Sequence, residues 1–147
     1  MSYSLDVNLL LYASDRDSAH FKTATAFLAD RASDPELCCV AWPTLMAYVR
    51  MATHPRIFGR PLAPGDALDN VAALLALPRV RAVNEDEGFL QVYHEVTGRL
   101  PVRGNLVPDA HLAAILRQHD VRTLYTHDAD FRRFGFLRIR DPLASTP

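Results

Sequence analysis

Short apolar runs alternate along the chain with stretches in which apolar residues recur about every three to four positions. The short runs predict strands at residues 2–6, 37–40, 79–83 and 121–125, with a last edge strand at 136–139. A short helix is expected directly after residue 6, and the periodic stretches predict helices at residues 18–31, 42–54, 66–77, 84–97 and 108–116. Strands that alternate with helices favour a parallel sheet covered on both faces. We therefore predict an α/β fold that forms a single domain over residues 1–147.

Polar residues set the expected helix starts. Ser18 is a suitable N-cap for the helix that precedes the second strand, and Asn84 for the helix that follows the third strand. The side chains of serine and asparagine accept hydrogen bonds from the free N–H groups at a helix start. A further helix is expected to open at Pro108 and Asp109, because proline is favoured at the first helical position.

Composition places few limits on function. The 147 residues are 49% hydrophobic with a net charge of −1, so the chain can bury a core and lacks the bulk charge that attracts nucleic acid or membranes. No apolar run approaches the roughly 20 residues that span a bilayer, and no charged leader with an apolar stretch opens the chain. Cys38 and Cys39 are adjacent, which suits neither a disulfide framework nor a metal site. We expect a cytoplasmic protein with two buried thiols and no membrane contact.

Aspartates stand at three of the predicted strand-to-helix junctions. Asp6 follows the first strand, Asp109 opens a helix, and Asp128 follows the strand at residues 121–125 with Asp130 close by. Each can serve simply as an N-cap, because an aspartate oxygen satisfies free N–H groups at a helix start. Ligands of open α/β sheets collect outside the carboxyl ends of the strands, so the same carboxylates can instead converge on one site.

Convergence of these carboxylates has an energetic consequence. Two carboxylates about 4 Å apart repel by roughly 4 kcal/mol at an effective dielectric constant of about 20. A divalent cation such as Mg²⁺ or Mn²⁺ offsets this repulsion, prefers oxygen ligands, and binds through one or two carboxylates plus a substrate phosphate. Such a site can hydrolyse a phosphodiester, because the ion polarises a phosphoryl oxygen and activates water.

Four stretches of the sequence carry a resemblance to a known family. They are LDVNLLLYA at residues 5–13, RMATHPRIF at 50–58, GNLVPDAHLAA at 104–114 and LYTHDADFRRF at 124–134. In this order, over essentially the whole chain, the sequence resembles the PIN domain and, within it, the VapC toxins of type II toxin–antitoxin pairs in the branch abundant in mycobacteria. The resemblance implies a three-layer α/β/α fold with a short, mostly parallel central sheet of about four to five strands. It also implies a Mg²⁺-dependent endoribonuclease that acts on RNA, forms a homodimer and is inhibited by a VapB-type antitoxin, with Mn²⁺ as an alternative ion.

The resemblance further implies roles for individual residues. Asp6 and Asp109 would bind the metal ion, and Asp128 would complete the catalytic acidic cluster. Asn8 would be a polar neighbour of the metal ligands. Thr126 would support the turn that carries Asp128.

One feature of the sequence departs from the family pattern. PIN nucleases usually carry a glutamate on the helix after the second strand, but residues 42–53 contain no acid and Ala47 occupies the expected place. Asp130 is then a reserve carboxylate, or simply a helix cap. The missing acid keeps open a second hypothesis, in which the chain is a catalytically silent PIN-like domain that sequesters an antitoxin.

Two further interpretations have weaker support. A phosphotransfer or receiver domain built around Asp6 requires an Asp-x-Asp pair or a lysine partner, but Asn8 stands at the second position and Lys22 is the sole lysine. His127 adjoins the third junction aspartate and is expected to face solvent in its turn rather than tune that carboxylate.

Overall fold

All strands of the sheet run parallel in the computed structural model, which describes residues 1–144. Within these residues the strands are β1 (Ser2–Leu5), β2 (Leu37–Ala41), β3 (Val80–Val83), β4 (Thr123–Tyr125) and β5 (Arg138–Arg140). Every neighbouring pair is parallel, and the order across the sheet is β3-β2-β1-β4-β5. The predicted parallel α/β sheet is therefore confirmed.

Helices cover the sheet from both sides. In the described range the α-helices are α1 (Val7–Ser14), α2 (Phe21–Asp30), α3 (Trp42–Ala52), α4 (Pro64–Leu75), α5 (Phe89–Thr97) and α6 (Leu106–Gln118), and a 3-10 helix spans Ala129–Arg133. Helices α1 to α4 share a hydrophobic core with one face of the sheet, whereas α5 and α6 pack on the other face. This is the three-layer α/β/α arrangement that the resemblance implied. No helix within residues 1–144 is both long enough and apolar enough to cross a bilayer.

Side chains that alternate along the strands divide the core between the two faces. In β2, Cys38 and Val40 belong to the core under α1 to α4, whereas Cys39 and Ala41 belong to the core under α5 and α6. Successive strand residues point to opposite faces, so a strand in a doubly covered sheet reads as a continuous apolar run. Both cysteines are free and buried, which confirms their predicted environment.

Helix α2 begins later than predicted. It starts at Phe21 rather than Ser18, and its N-cap is His20. The Ser18 hydroxyl instead accepts a hydrogen bond from the backbone N–H of His20 (3.1 Å), which forms a turn ahead of the helix. A serine side chain that bonds its own neighbouring backbone in this way is not available to cap a helix.

Helix α5 also begins later than predicted. Asn84 is not its cap, because the helix starts at Phe89 after Gly88, whose φ of 78° lies in the left-handed region that favours glycine. The residues between form a loop that α6 anchors: the Gln118 side chain accepts a bond from the Asp86 backbone N–H (2.8 Å).

Helix α6 begins earlier than predicted and β5 begins later. Helix α6 starts at Leu106, with Asn105 as N-cap, so Asp109 lies within the first turn and does not open the helix. The last strand is Arg138–Arg140 rather than residues 136–139, because the backbone N–H of Leu137 still bonds back into the preceding turn.

Candidate active site

The carboxyl ends of β1 and β4 lie side by side within the sheet. The chain runs outward from β1 through β2 to β3, and β4 then pairs with the opposite side of β1. Such a reversal of strand order leaves a crevice outside the carboxyl ends of the two strands, where open α/β sheets bind their ligands. Asp6 follows β1 and Thr126 follows β4, so both residues stand at this crevice.

Hydrogen bonds to both carboxylate oxygens fix Asp6 at the end of β1. Oδ1 accepts from the backbone N–H of Val7 (2.7 Å), and Oδ2 accepts from the Thr126 hydroxyl (2.7 Å). The backbone N–H of Asp6 donates to the carbonyl of Tyr125 (3.0 Å), which ties β1 to the end of β4. Asp6 is only 6% exposed, and this burial raises its pKa although both hydrogen bonds oppose the change.

The hydroxyl of Thr126 connects Asp6 to Asp128. While it donates to Asp6, its oxygen accepts from the backbone N–H of Asp128 (2.9 Å), and the threonine N–H donates to the carbonyl of Arg140 (2.9 Å). Thr126 is 1% exposed. Asp128 in turn caps the 3-10 helix by accepting from the backbone N–H of Asp130 (2.8 Å). Asp6 and Asp128 therefore cap helices and also belong to one hydrogen-bonded network.

Asp109 approaches the same crevice from the first turn of α6. It is half-buried, and its pKa is raised to about 6, first by burial and then by the charges of Asp128, Asp6 and Asp130. The charge of Arg133 partly opposes this rise. A Coulomb interaction near a protein surface falls off with distance and is screened by solvent, so these charges act on Asp109 over a limited range. The convergence of the three junction aspartates on one metal site stays a prediction.

Arg133 is a neighbour of the cluster that the sequence did not predict. Its Nη2 atom lies 4.0 Å from Oδ1 of Asp130. The sequence spacing of Asp130 and Arg133 could have predicted this contact, since residues three apart on a helical turn are neighbours.

Asp130 is exposed and is not the cap of the 3-10 helix, which is Asp128, so the cap interpretation of Asp130 is wrong. Its role as a reserve carboxylate stays a prediction.

Comparison with known proteins assigns the chain to a family. Residues 3–137 match the PIN domain. Over 144 residues the chain is 42% identical to ribonuclease VapC48 of Mycobacterium tuberculosis, and the alignment covers 98% of this chain and 99% of that protein. The chain belongs to the VapC family of PIN domains.

Solved VapC structures share the architecture of this PIN domain. VapBC2 of Rickettsia felis, solved bound to a DNA fragment from its promoter, matches with a TM-score of 0.69 at 16% identity, covering 96% of this chain and 98% of that chain. VapC20 of Mycobacterium tuberculosis, a sarcin–ricin loop cleaving toxin, matches with a TM-score of 0.68 at 21% identity, covering 94% and 98%. At these identities the likeness shows the common fold.

The carboxylates of this PIN domain suit a hard divalent cation. Within residues 1–144, no group of three or more His, Cys, Asp or Glu side chains is arranged so that it could hold a metal ion alone. Mg²⁺ does not require such a cage, because it binds through one or two carboxylates, several waters and substrate phosphates. Asp6 and Asp109 would supply oxygen ligands, and a cation beside them would offset the carboxylate repulsion that, after burial, raises the pKa of Asp109.

Two other sequence-predicted positions do not join the network. Asn8 is the second residue of α1 and is half-exposed, and no side-chain hydrogen bond in the described range links it to Asp6. Helix α3 contains no acidic side chain, and Ala47 is half-buried at the position where the family pattern has a glutamate.

A groove between α1, α2, α3 and α4 is a second concave region of this PIN domain. Its volume is about 570 Å³, and none of the aspartates of the crevice lines it. Most of the lining is apolar, but the Tyr48 hydroxyl lies 2.6 Å from the Ser14 hydroxyl and accepts a hydrogen bond from the Asn70 amide (2.9 Å). The groove therefore combines an apolar surface with a few polar groups, which are the centre at Tyr48 and the side chains of Arg16 and Thr25, as binding sites commonly do.

Proposed function

We propose that this chain is a Mg²⁺-dependent endoribonuclease toxin, with Mn²⁺ as an alternative ion, and that a VapB-type antitoxin inhibits it. The observation that carries the proposal is the hydrogen-bonded link from Asp6 through Thr126 to Asp128, and the carboxylate charges that, after burial, help to raise the pKa of Asp109 support it. The relatives support the reaction class, since VapC48 is named a ribonuclease and VapC20 a sarcin–ricin loop cleaving toxin.

Each side chain of the crevice has a task in this reaction. When bound by Asp6 and Asp109, Mg²⁺ would polarise a phosphoryl oxygen of the RNA and activate a water molecule. Thr126 fixes the orientation of the Asp6 carboxylate, so Asp6 is ready to bind without rearrangement. The backbone N–H of Asp128 bonds to the same hydroxyl, and the Asp128 carboxylate would orient the attacking water. Arg133 supplies positive charge beside the path of the RNA backbone.

Cleavage of single-stranded RNA by the purified full chain tests this proposal. We expect cleavage in Mg²⁺ or Mn²⁺ and none in EDTA. Asp6→Asn and Asp109→Asn should each lower the rate about a hundredfold or more, because several kcal/mol of charge stabilisation is lost. Asp66→Asn is the matched control, since Asp66 also lies in the first turn of a helix but is exposed on α4. Wild-type cleavage by the Asp109→Asn variant would contradict the metal assignment.

The second candidate function is a catalytically silent domain that sequesters an antitoxin. The acid-free α3 helix favours it, because Ala47 stands where the family pattern has a glutamate. The same RNA experiment separates the two functions, since a silent domain shows no metal-dependent cleavage and its overexpression does not arrest growth. A receiver-type phosphotransfer domain has no such support, because its strand order of 2-1-3-4-5 differs from the β3-β2-β1-β4-β5 order found here.

The groove between α1 and α4 is the surface that we assign to the antitoxin. A segment with apolar side chains would bury them against the groove lining, while one polar group could bond at Tyr48. None of the aspartates of the crevice lines the groove. An antitoxin held in the groove therefore does not need the proposed metal ligands, Asp6 and Asp109, for its binding. The name of one structure with a similar fold, VapBC2, indicates a toxin–antitoxin pair of this type.

We also assign a homodimer contact to the exposed face of α3. Trp42 and Met46 are 40% and 53% exposed, and residues four apart on a helix share one face. Trp42 directly follows β2, which neighbours β1, so this apolar face lies at the same edge of the sheet as Asp6. A second copy packed there would cover the apolar face and bring two acidic crevices close together.

A further inference from the structure

Three rings form a row beside the acidic crevice. The ring centroids of Tyr12 and His20 are 4.9 Å apart, and those of His20 and His127 are 5.1 Å apart. Both contacts are tilted, with interplanar angles of 52° and 55°. The row joins α1, the turn before α2 and the turn after β4, and it ends at His127.

His127 is exposed, yet its ring is held in one orientation. Nδ1 lies 2.8 Å from Oδ2 of Asp141, and the contact with His20 restrains the ring from a second direction. The side chain is nevertheless 41% exposed, which confirms the predicted solvent-facing position. A surface ring that is already restrained loses little conformational freedom when a ligand covers it.

The position of His127 in the chain places it at the edge of the crevice. Thr126, which precedes it, donates a hydrogen bond to Asp6, and the backbone N–H of Asp128, which follows it, donates to the Thr126 hydroxyl oxygen. Consecutive Cα atoms are about 3.8 Å apart. His127 therefore lies on the turn that joins the two residues of the hydrogen-bonded network, and its exposed ring is a surface that a substrate bound at the crevice can cover.

We propose that His127 is the platform on which one base of the RNA stacks next to the phosphate that is cleaved. This inference rests on the proposed ribonuclease function, because it describes how the same site holds its substrate. Bases of single-stranded RNA stack on aromatic rings, histidine included, and such stacking tolerates any base. Asp141, His20 and Tyr12 are positioning residues that set the plane of the ring.

A base fits this ring better than a phosphate does. The carboxylate of Asp141 is in contact with the ring, and Asp128 is the next residue in the chain, so the local charge opposes a second anion on the ring. The uncharged face of a base is not repelled in this way. The arrangement therefore separates two tasks, with the crevice holding the phosphate through a cation and the ring holding the base.

The test measures RNA binding and RNA cleavage separately. Binding of a fluorescein-labelled single-stranded RNA of mixed sequence to the full chain is followed by anisotropy in EDTA, where no cleavage is expected. We expect His127→Ala to weaken binding about tenfold, the usual effect of removing one stacking partner. In Mg²⁺ the same variant should raise KM by about the same factor and leave kcat within about twofold, because stacking is equally strong before and during the reaction.

Two further variants distinguish stacking from other roles of the ring. His127→Phe keeps a flat ring without the nitrogens and should bind RNA within about threefold of wild type, since every aromatic face can stack. An affinity of His127→Phe as low as that of His127→Ala would overturn the proposal, because the ring nitrogens would then be the binding groups. His119→Ala removes another exposed histidine, at the far end of α6, and should change neither measurement.

Failure of the stacking inference differs from failure of the proposed function. Metal-dependent cleavage with unchanged KM and Kd in His127→Ala would overturn the platform and leave the ribonuclease intact. Absence of cleavage by wild type, together with weaker RNA binding by His127→Ala, would overturn the ribonuclease and leave the platform. Thermal unfolding of each variant shows whether a loss of affinity comes from an unfolded protein. If His127→Ala is unfolded, the affinity of folded His127→Phe decides, and poor RNA binding by that variant would overturn the platform.

Discussion

At the level of single residues, the hydroxyl of Thr126 shapes the proposed active site. It donates to Asp6 and accepts from the backbone N–H of Asp128, which a hydroxyl can do because it has one donor and two acceptor lone pairs. Thr126 and Asp6 are both buried, where hydrogen bonds are strengthened and unpaired polar groups are costly. One side chain therefore positions two of the three carboxylates.

Removing this hydroxyl should destabilise the protein and the site together. We expect Thr126→Val to lower the free energy of unfolding by about 1–3 kcal/mol, because an isosteric side chain leaves a buried oxygen of Asp6 and the N–H of Asp128 without partners. Thr126→Ser retains the hydroxyl and should recover most of that loss. Urea denaturation of the two variants measures the difference. Equal stability of the valine and serine variants would show that the hydroxyl does not hold the network.

The raised pKa of Asp109 should make the metal-free protein less stable as the pH rises. The pKa is about 6 in the folded protein and about 4 in an unfolded chain, so the folded state binds the proton more tightly between these values. The resulting loss of stability is absent below about pH 4 and complete above about pH 6. We expect Asp109→Asn in EDTA to have a higher Tm than wild type at about pH 8, with the gain shrinking toward about pH 4.

The exposed Asp66 again provides the control for this experiment. Asp66→Asn should not raise Tm at any pH, because this side chain lies in the solvent-exposed first turn of α4. A gain for Asp109→Asn that grows as the pH falls would contradict the sign derived from the raised pKa.

At the level of elements, periodicity predicted which segments form strands and helices but not where the helices start. The continuous apolar run of β2 is buried as its pattern indicates, whereas the apolar repeat of α3 is buried only in part, because Trp42 and Met46 are exposed. Ser18 and Asn84 are both able to cap a helix, but the Ser18 hydroxyl is used in a turn, and the loop after Asn84 is held by α6. Contacts of this kind depend on tertiary structure, so a local pattern cannot reveal them.

The same limit applies to the candidate site. The junction aspartates could be named because a carboxylate after a strand marks the ligand-binding edge of such a sheet. The direct Thr126–Asp6 bond and the His127–Asp141 contact could not, because both depend on where β4 enters the sheet. Periodicity alone does not specify the order of strands.

The groove formed by α1 to α4 yields a prediction at this level. Ala73 is exposed and lines the groove, whereas its neighbour Ala72 is exposed on α4 but does not line it. We expect Ala73→Arg to weaken antitoxin binding about tenfold or more, because a long charged side chain would occupy the apolar surface. Ala72→Arg should bind as wild type does. Pull-down with a co-expressed VapB-type antitoxin measures the difference. Equal binding by the two variants would contradict the assignment of the antitoxin to this groove.

At the level of the whole molecule, the carboxyl ends of all strands lie at the same edge, because the sheet is parallel. Asp6, Trp42 and Thr126 follow β1, β2 and β4, which are neighbours in the sheet. Chemistry and assembly are therefore expected at the same edge, with the acidic crevice beside the apolar face of α3. A dimer contact at the α3 face would therefore lie beside the acidic crevice.

Disrupting the α3 face should convert a dimer into a monomer. Met46→Glu places a charge on a half-exposed apolar surface, which costs little in the monomer but opposes packing against a second copy. Light scattering after size-exclusion chromatography should report half the wild-type mass. Leu68→Glu changes an equally exposed leucine on α4 and should leave the mass unchanged. A wild-type chain that is already monomeric would contradict the assignment.

The hydrogen bond between Asp6 and Thr126 spans 120 positions of the chain. A ribosome adds about 5–20 residues per second, so Thr126 is synthesised roughly ten seconds after Asp6. During that interval β1 has no β4 beside it, and the carboxylates of the crevice cannot assemble. We therefore expect a nascent chain of this design to lack an assembled crevice, and any ribonuclease activity to begin only when the C-terminal third of the polypeptide has folded back onto the first strand.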